Sequence, residues 1–484
     1  MSWDRPRRRD GRVVAALHPR TLADKVWDDH LAQPPAEAGT GTPDQLVVDR
    51  ILLHEHQVGL IGRSNHDGTR IADPRRIVAC ADQQGPTTPS GDEPRSGAQL
   101  VASVERLERT SASLGLPVFG PGDPRAGVVN VVAAEQGMVL PGDLIVGADA
   151  HVATNGAFGA LALVISDAEV VEVVRTGQVS RVRPSTVRAS VAGKLTAGAS
   201  AKDVALWLLG RLGPGMADGK VLELVGPVVT DLGVEGRMTL TNVAVESGAD
   251  AVVIAPDLAV ERYLSGRPFS PKGAAWAGAV AGWRGLGGDP GADYDADVVA
   301  FGGLISPQVT WGTHADQVVA LDGVVPSPDA SDPGRRARHE QALAHHGLVP
   351  GEPVSAIEID QVFIGSCANA RLDDLRAAAE VVRGGRVQVP SWVVPGSWPV
   401  RHQAEAEGLH RVFLDAGFEW REPGCSLCIG ANGDAVRPGS RLASTANRPV
   451  RGLVGPSARV HLLSPASAAA SALVGRLAAH STTR

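Results

Sequence analysis

Three of the four cysteines in this 484-residue chain are spaced in a way that could support metal chemistry. Cys425 and Cys428 form a Cys-x-x-Cys pair in Pro-Gly-Cys-Ser-Leu-Cys, and Cys367 lies upstream in Ile-Gly-Ser-Cys-Ala-Asn. Three cysteines on two loops can hold three corners of an iron–sulfur cluster and leave a fourth iron open. The same spacing fits a structural zinc site with a histidine as the fourth ligand, and it also fits buried thiols that bind no metal.

An iron with an open coordination position would act as a Lewis acid. It could polarise a hydroxyl or carboxylate oxygen and activate water, which a hydro-lyase requires in order to expel hydroxide, a poor leaving group. Four cysteines are too few for a disulfide framework in a chain of this size. We therefore interpret them as ligands, catalysts or buried thiols in a reducing compartment.

Other side chains with nucleophilic or metal-binding character lie in the first part of the chain. Cys80 stands alone, two residues before Asp82, and we interpret it as a small buried thiol. His54 and His56, in Leu-His-Glu-His-Gln, could ligate a metal but lack a matching third ligand. We predict local hydrogen bonds for both histidines.

The sequence predicts an α/β fold for the elements that must position these residues, because short apolar runs alternate with helical patterns. After an Arg-rich mobile arm over residues 1–20, we predict three α/β domains over 21–186, 187–305 and 306–484. A break at Arg183-Pro184-Ser185 separates the first two domains. The sequence shows no repeat of 20–50 residues, which argues against solenoids and propellers.

Specific elements follow from the same patterns. Strands are predicted at 128–132, 144–146, 187–191 and 361–364, and helices from 22 onward and at 100–114, 167–176, 203–212 and 371–383. The helix at 167–176 should bury Val170, Val171 and Val174, and 284–297 should be a surface loop. Cys367 would then lie in the loop between a buried strand and its following helix.

Composition and charge exclude several classes of protein. The chain is 43% hydrophobic and 20% charged, which is ordinary for a folded globular protein. Its 46 basic and 53 acidic residues give a net charge of −7, so no overall field attracts nucleic acid or anionic lipid. No apolar run approaches the roughly 18 residues that span a bilayer, and the N-terminus lacks the apolar core of a signal peptide. We expect a cytoplasmic protein without nucleic-acid or membrane partners.

The sequence around the cysteines resembles the aconitase superfamily, and most closely the large subunits of 3-isopropylmalate dehydratases. The resemblance begins with Val-Phe-Ile-Gly-Ser-Cys-Ala-Asn-Ala-Arg at 362–371. Five further collinear segments resemble the family, at 156–161, 235–240, 306–313, 417–428 and 443–448. The similarity extends from about residue 22 to 480, which is specific for membership of the family.

The resemblance implies a three-domain α/β body around a [4Fe-4S] cluster held by Cys367, Cys425 and Cys428. It implies hydro-lyase activity on a small hydroxy-carboxylate. A mobile fourth domain is expected on a separate small subunit, which in the family supplies a serine base and an arginine. The chain ends soon after Leu462-Leu463-Ser464-Pro465-Ala466, which agrees with that division.

The resemblance also implies roles for individual residues. Asn242 and Glu246 lie four positions apart, one helical turn, so both can face one pocket. His151 matches the family histidine that such a glutamate orients, and Arg448 could pair with a substrate carboxylate. The predicted catalytic residues are His151, Glu246, Asp149 and Asp82, and the predicted substrate-binding residues are Arg448, Asn242, Asn447 and Gln83.

Several positions depart from the family pattern. Ala81-Asp82-Gln83-Gln84 stands where the large subunit reads Met-Asp-His-Asn, and glutamine cannot donate and recover a proton near neutral pH. Val58-Gly59-Leu60 stands where the family reads Ser-Pro-Gln. Where the family pattern has a second histidine, a serine and an arginine, this chain has Asn130, Ala150 and Leu453, respectively.

These departures from the family pattern lie at proton-transfer and carboxylate-binding positions, whereas the three cysteines of the pattern are present in this chain. We therefore expect altered chemistry, with a ligand that makes fewer hydroxyl or carboxylate contacts and with weak or absent isopropylmalate isomerisation. The alternative hypothesis is a catalytically degenerate paralogue that acts as a cluster-dependent sensor or regulatory subunit.

Overall fold

A computed structural model describes residues 18–33, 42–64, 71–85, 87–88, 98–213, 215–328 and 331–480. The predicted N-terminal arm lies almost entirely outside these residues. Three parallel sheets occupy successive parts of the described chain, and helices connect their strands, which confirms the α/β prediction. Among the described residues, none of the helices has the length and apolar character needed to cross a membrane.

The first part of the chain forms a five-stranded parallel sheet of order β4-β3-β2-β5-β6, beside an antiparallel pair of β1 and β7. The strands are β1 (Asp44–Val47), β2 (Arg50–Leu53), β3 (Ile77–Cys80), β4 (Val118–Phe119), β5 (Leu144–Gly147), β6 (Leu161–Val164) and β7 (Gln178–Arg181). The helices are α1 (Leu22–His30), α2 (Glu55–Ser64), α3 (Ala98–Leu114), α4 (Val129–Glu135) and α5 (Asp167–Thr176).

Two predictions in this part need correction. Residues 128–132 were predicted as a strand, but Val129–Glu135 is a helix in which every residue is buried. A helix that is buried on all sides shows no amphipathic period, so its apolar run resembles that of a buried strand. The helix at 167–176 is confirmed, capped by Ser166 and Gly177, but it buries Val173 rather than Val171.

The second part forms a four-stranded parallel sheet of order β10-β9-β8-β11. Its elements are β8 (Thr186–Ala192), β9 (Val221–Val225), β10 (Ala251–Val253) and β11 (Ala296–Phe301), with α6 (Ala201–Leu212), α7 (Pro227–Asp231), α8 (Val234–Ala244), α9 (Leu258–Leu264) and α10 (Gly273–Trp283). The predicted strand at 187–191 is confirmed. The predicted loop at 284–297 is correct except that its last two residues begin β11.

The third part forms a five-stranded parallel sheet of order β16-β15-β14-β17-β18, beside an antiparallel pair of β12 and β13. The strands are β12 (Gln308–Thr310), β13 (Val318–Ala320), β14 (Gln361–Ile364), β15 (Ser391–Val393), β16 (Glu419–Trp420), β17 (Arg441–Ser444) and β18 (Arg459–Leu462). The helices are α11 (Pro333–His346), α12 (Leu372–Val382), α13 (Trp398–Ala406), α14 (Leu409–Ala416) and α15 (Pro465–Val474). Strand β14 and helix α12 confirm the prediction for the chain around Cys367.

Short 3-10 segments complete the described structure, at Pro74–Arg76, Ala150–Phe158, Val245–Ser247, Gly302–Leu304, Val354–Ala356 and Ser426–Cys428. The segment Ala150–Phe158 packs tightly on β10, because a Cβ on Gly156 would lie 1.7 Å from the carbonyl oxygen of Val252. A side chain at this glycine would therefore push the segment, and His151 within it, away from the second sheet.

The sheets present the predicted site residues at the carboxyl ends of their parallel strands. In the first sheet, Asp82 and Asp149 follow β3 and β5; in the third, Cys367 and Asn447 follow β14 and β17. Parallel α/β sheets bind ligands at this edge, at the point where the strand order reverses. Apart from Thr186, the first residue of β8, the three sheets lie within the ranges 21–186, 187–305 and 306–484, and the domain boundaries themselves stay predictions.

Candidate active site

The three cysteines are buried and lie against two side-chain amides. Their exposed fractions are 4% for Cys367, 6% for Cys425 and 8% for Cys428. Asn242 Nδ2 from α8 and Asn447 Nδ2 from the loop after β17 each donate to Cys367 Sγ at 3.2 Å. Two of the predicted binding residues are therefore brought to the cysteines by different parts of the chain.

The donor set fits an iron–sulfur cluster better than a single zinc ion. Among the described residues, neither the three cysteines nor any histidine with them form a group whose ligand atoms all lie within 4.8 Å of one another. A structural zinc site needs four protein ligands, whereas three cysteines can hold a cluster and leave its fourth iron open. The hydrogen bond with Cys428 and the charge of His151 lower the pKa of Cys367 to about 6 despite its burial, which favours the thiolate that iron binds.

The loops that carry the cysteines hold strained backbone. Ser366 and Ala370 flank Cys367 with φ values of 90° and 148°, and Ser426 lies between the other two cysteines with φ 46°. Such positive values cost a residue other than glycine about 1–3 kcal/mol, and they persist where surrounding contacts enforce them. Arg371 Nη1 donates to the Cys367 carbonyl at 2.8 Å, which is one of those contacts.

A second anchor holds the loop between Cys425 and Cys428. Asp434 accepts from Ser426 Oγ and from Thr87 Oγ1, both at 2.7 Å, and it pairs with Arg421 Nη2 at 2.7 Å. The side chain of Arg421 is fully buried and that of Asp434 nearly so. The ion pair joins the cysteine loop to the segment that follows β16, and the Thr87 hydrogen bond joins it to the segment that follows β3.

Four predicted site residues form one network beside the cysteines. His151 Nε2 lies 3.0 Å from Glu246 Oε1, and His151 Nδ1 lies 2.7 Å from Asp149 Oδ1. Arg448 Nε lies 3.1 Å from the same Glu246 oxygen, and its side chain is partly exposed. Burial lowers the pKa of His151, but Asp149 and Glu246 outweigh this effect and raise it to about 10. The imidazole is therefore positively charged at neutral pH.

Asp82 lies in a separate hydrogen-bond network with His54. Asp82 Oδ1 is 2.7 Å from His54 Nδ1, and Oδ2 accepts from the Val129 N–H at 2.8 Å. The Asp82 carbonyl accepts from the Cys425 N–H at 2.9 Å, which ties this network to the cysteine loop. The predicted hydrogen bond of His54 is thus observed, and His56 likewise contacts Asp167 Oδ2 at 3.0 Å.

The residues at the departing positions lie around these networks. Gln83 is half-buried, and its N–H lies 3.4 Å from Glu55 Oε2. Asn130, in α4, accepts from Asn155 Nδ2 at 3.2 Å and is buried. Ala150 and Leu453 are half-buried and pack against the apolar core that contains the three cysteines.

Sequence reasoning missed a buried lysine beneath the site. Lys202 Nζ donates to the carbonyl oxygens of Thr445 and Ala446 at 2.9 and 2.6 Å, directly before Asn447. Its exposed fraction is 1%, and burial lowers its pKa to about 8. A Lys-Asp pair at the start of an otherwise apolar helix was the available signal, since charged residues are rarely buried without a partner.

Sequence comparison identifies relatives along nearly the whole chain. The sequence model of the Aconitase family (aconitate hydratase) matches residues 24–475. A 3-isopropylmalate dehydratase large subunit from Anaeromyxobacter dehalogenans is 44% identical over 470 residues, which are 95% of this chain and 96% of that protein. The corresponding large subunit from Roseiflexus castenholzii is 43% identical over 467 residues, 95% of this chain and 98% of that protein.

A search of solved structures found aconitase X from Thermococcus kodakaraensis in its holo-form, with 11% identity and a TM-score of 0.46 over 84% of this chain and 85% of that chain. The two sequence relatives and the family match agree with the resemblance of the cysteine segments. The chain therefore belongs to the aconitase family of hydro-lyases.

Proposed function

We propose that this chain is the large subunit of an iron–sulfur hydro-lyase of the 3-isopropylmalate dehydratase type, which dehydrates and rehydrates a small hydroxy-carboxylate. One observation carries the proposal: two amides on the Cys367 sulfur and the network of His151, Glu246 and Asp149 lie in the same buried region. Candidate ligands for a cluster and groups that hold a proton thereby lie next to each other.

Cys367, Cys425 and Cys428 would hold a [4Fe-4S] cluster, which when bound supplies an open iron as a Lewis acid toward hydroxyl and carboxylate oxygens. Asn242 and Asn447 donate to the Cys367 sulfur, and such hydrogen bonds orient a ligand and tune its electron density. The strained loops around the cysteines support this use, because unfavourable backbone conformations concentrate at functional sites.

The remaining residues bind and orient the substrate or hold protons. Arg448 presents a partly exposed guanidinium, which suits a substrate carboxylate because its planar fork matches two oxygens. His151 holds its protons between Asp149 and Glu246, so it can donate to a substrate oxygen that gains negative charge only when that oxygen replaces one of the two carboxylate contacts.

A separate small subunit would complete the site and supply the base that removes a proton from carbon. The names of both relatives specify a large subunit, and this chain spans 96–98% of their length. All four cysteines are free thiols, which suits a reducing compartment, and we infer a cytoplasmic location.

The substrate should make fewer polar contacts than isopropylmalate. Ala150 and Leu453 offer no hydrogen bonds where the family has a serine and an arginine, and a polar substrate group left without a partner would be costly. The sensor alternative gains no support, because the described residues bring the proton-holding groups together at the cysteines.

Proton NMR in D₂O tests the proposal. The chain would be reconstituted without oxygen, combined with a small subunit of a 3-isopropylmalate dehydratase, and offered 2-isopropylmalate, 3-isopropylmalate and related hydroxy-diacids. We expect about four iron atoms per chain and deuterium incorporation into at least one acid. Exchange with none of them, on a sample whose iron and sulfide are intact, would refute the proposed reaction.

A further inference from the structure

His54 sits at the carboxyl end of the central strand of the first sheet. It follows β2, which pairs with β3 on one side and β5 on the other, so it lies where the strand order reverses. Ligands bind at this point in parallel α/β sheets. The imidazole is 5% exposed, so it is shielded from solvent without being sealed off.

Its neighbours fix the orientation of the ring. Asp82 Oδ1 lies 2.7 Å from Nδ1, and the Val129 N–H holds the other carboxylate oxygen at 2.8 Å. A carboxylate on Nδ1 stabilises the tautomer with a proton there and leaves Nε2 for chemistry. Among the described residues, no hydrogen bond engages Nε2 of His54, and the charge of Asp149 acts on this ring.

The same aspartate links His54 to the cysteines. The Asp82 side chain holds the imidazole, while its carbonyl oxygen accepts from the Cys425 N–H at 2.9 Å. A single residue therefore fixes the distance between this histidine and the cysteine loop. Asp149, whose charge acts on His54, also contacts His151 Nδ1 at 2.7 Å.

The ligand atoms of His54, Glu55 and Asp82 lie within 4.8 Å of one another, a spacing that also suits a cation. Every carboxylate oxygen of the group is already near a donor, however. Glu55 Oε1 and Oε2 face the N–H groups of Gln84 at 2.9 Å and Gln83 at 3.4 Å, and both Asp82 oxygens have partners. The group is therefore a complete hydrogen-bond network without a metal.

We propose that His54 is the catalytic acid of this site and supplies the proton transfer that Gln83 cannot. This inference rests on the proposed function. When the substrate loses water, a base of the partner subunit takes the proton from carbon, and the electrons of that C–H bond form the C=C bond. The C–O bond breaks with its electron pair on oxygen, which takes a proton from His54 Nε2 and leaves as water. Hydration runs the same steps in reverse.

The charge around the ring agrees with this role. Burial lowers the pKa of His54, but the carboxylates that face it, Asp82, Asp149 and Glu55, raise it to about 9. Burial and Asp82 raise the pKa of Glu55 itself to about 7. The imidazole therefore carries its proton at neutral pH before substrate arrives, as an acid catalyst must.

Two substitutions test the proposal, with a matched control. His54→Gln should lower kcat by about 10²–10⁴-fold, the range for loss of a general acid, while iron and sulfide content stay unchanged. His56→Gln, two residues away on an exposed side chain, should stay within twofold of the unaltered enzyme. Retention of more than half of the activity in His54→Gln would overturn the proposal.

Gln83→His in the otherwise unaltered chain gives a test that does not depend on the folding of His54→Gln. If His54 already supplies the proton, a second imidazole changes kcat by less than threefold. A tenfold or larger increase would show that Gln83 limits the reaction and would overturn the proposal. In His54→Gln, adding Gln83→His should restore at least a tenth of the lost activity, because the backbone N–H of residue 83 lies 3.4 Å from Glu55, one of the carboxylates that act on His54.

A measurement on the apo chain checks the geometry without turnover. Long-range ¹H–¹⁵N NMR of histidine-labelled protein should show a His54 signal with a proton on Nδ1, and Asp82→Asn should shift that signal. A His54 signal unaffected by Asp82→Asn would contradict the pair. If the unaltered enzyme turns over no acid at all, the proposed function fails and the role of His54 fails with it, whereas a working enzyme that tolerates His54→Gln refutes the role alone.

Discussion

The pocket of the three cysteines and the pocket of the paired histidines, here called the cysteine pocket and the proton-transfer pocket, lie side by side. Different structural features position their residues. In the cysteine pocket, backbone strain at Ser366, Ala370 and Ser426 aims the sulfur atoms. In the proton-transfer pocket, side-chain pairs such as His151–Glu246 and His54–Asp82 do the positioning. In the sequence resemblance, the three cysteines keep the family pattern, whereas Gln83, Asn130 and Ala150 depart from it.

The difference has a chemical cause. A thiolate ligand must present one sulfur atom at one place, so neither the residue type nor the loop that aims it can change. An acid catalyst needs only an imidazole nitrogen within reach of the substrate oxygen, and more than one strand end can supply it. Cluster ligation therefore constrains the residue type at each position, whereas the proton-transfer role can pass from one residue to another.

Loss of one cysteine should have the largest effect on iron and sulfide content, and it therefore distinguishes the roles of the two pockets most clearly. Cys367→Ser replaces a sulfur that receives two amide hydrogen bonds, and we expect iron and sulfide to fall to near background with loss of all turnover. Iron and sulfide analysis after reconstitution measures this. Cys80→Ala is the control, because Cys80 is also buried but belongs to β3 and not to the two loops that carry the other cysteines. Full cluster content in Cys367→Ser would refute the assignment of the cluster ligands.

Removing the cation that anchors the cysteine loop should come next. Arg421→Met leaves Asp434 buried without its positive partner, and breaking a buried ion pair in this way costs about 3–5 kcal/mol of unfolding free energy. Urea denaturation of the apo chain measures the loss. Arg376→Met is the control, since Arg376 forms partly exposed ion pairs that should contribute less than about 1 kcal/mol. Equal losses in both variants would show that Arg421 is not a special anchor.

At the boundary between the pockets, Arg448→Lys tests carboxylate binding. Lysine keeps the charge but lacks the planar fork, so we expect kcat/KM to fall about 100-fold with unchanged iron content, chiefly through KM. Steady-state kinetics of the assembled enzyme measures the effect. Arg451→Lys, three positions along on an exposed residue, should change neither parameter. An unaltered KM in Arg448→Lys would assign substrate binding to another residue.

The two pockets also differ in how far the sequence predicted them. The strand at Gln361–Ile364 and the helix at Leu372–Val382 follow local patterns, so the loop with Cys367 could be placed in advance. The pairing of His54 with Asp82 joins residues 28 positions apart that follow different strands, and no local pattern encodes it. The helix at Val129–Glu135 was misassigned for a related reason, because complete burial removes the periodicity that distinguishes a helix from a strand.

Glu135 offers a smaller test at the edge of the proton-transfer pocket, in the helix that also carries Val129 and Asn130. Its Oε1 accepts from Ser397 Oγ at 2.9 Å, which connects α4 to the N-cap residue of α13, while Oε2 has no hydrogen-bond partner among the residues that the structure describes. Burial raises the pKa of Glu135 to about 7. The folded chain therefore keeps this proton at pH values where the unfolded chain has lost it.

The sign of the pH dependence follows from that proton. From about pH 4.5 to 7, Glu135 binds more protons in the folded state than in the unfolded state. The free energy of unfolding that this residue contributes therefore falls as pH rises through this range, and it falls no further above about pH 7. Glu135→Gln cannot titrate, so relative to the unaltered chain it should gain about 2 kcal/mol between pH 5 and pH 8. Urea denaturation at both pH values measures this gain, and Glu380→Gln, at an exposed position of α12, should show none. A constant difference between Glu135→Gln and the unaltered chain would mean that the carboxyl is ionised in the folded state, and that the helix behind the proton-transfer pocket tolerates a buried charge.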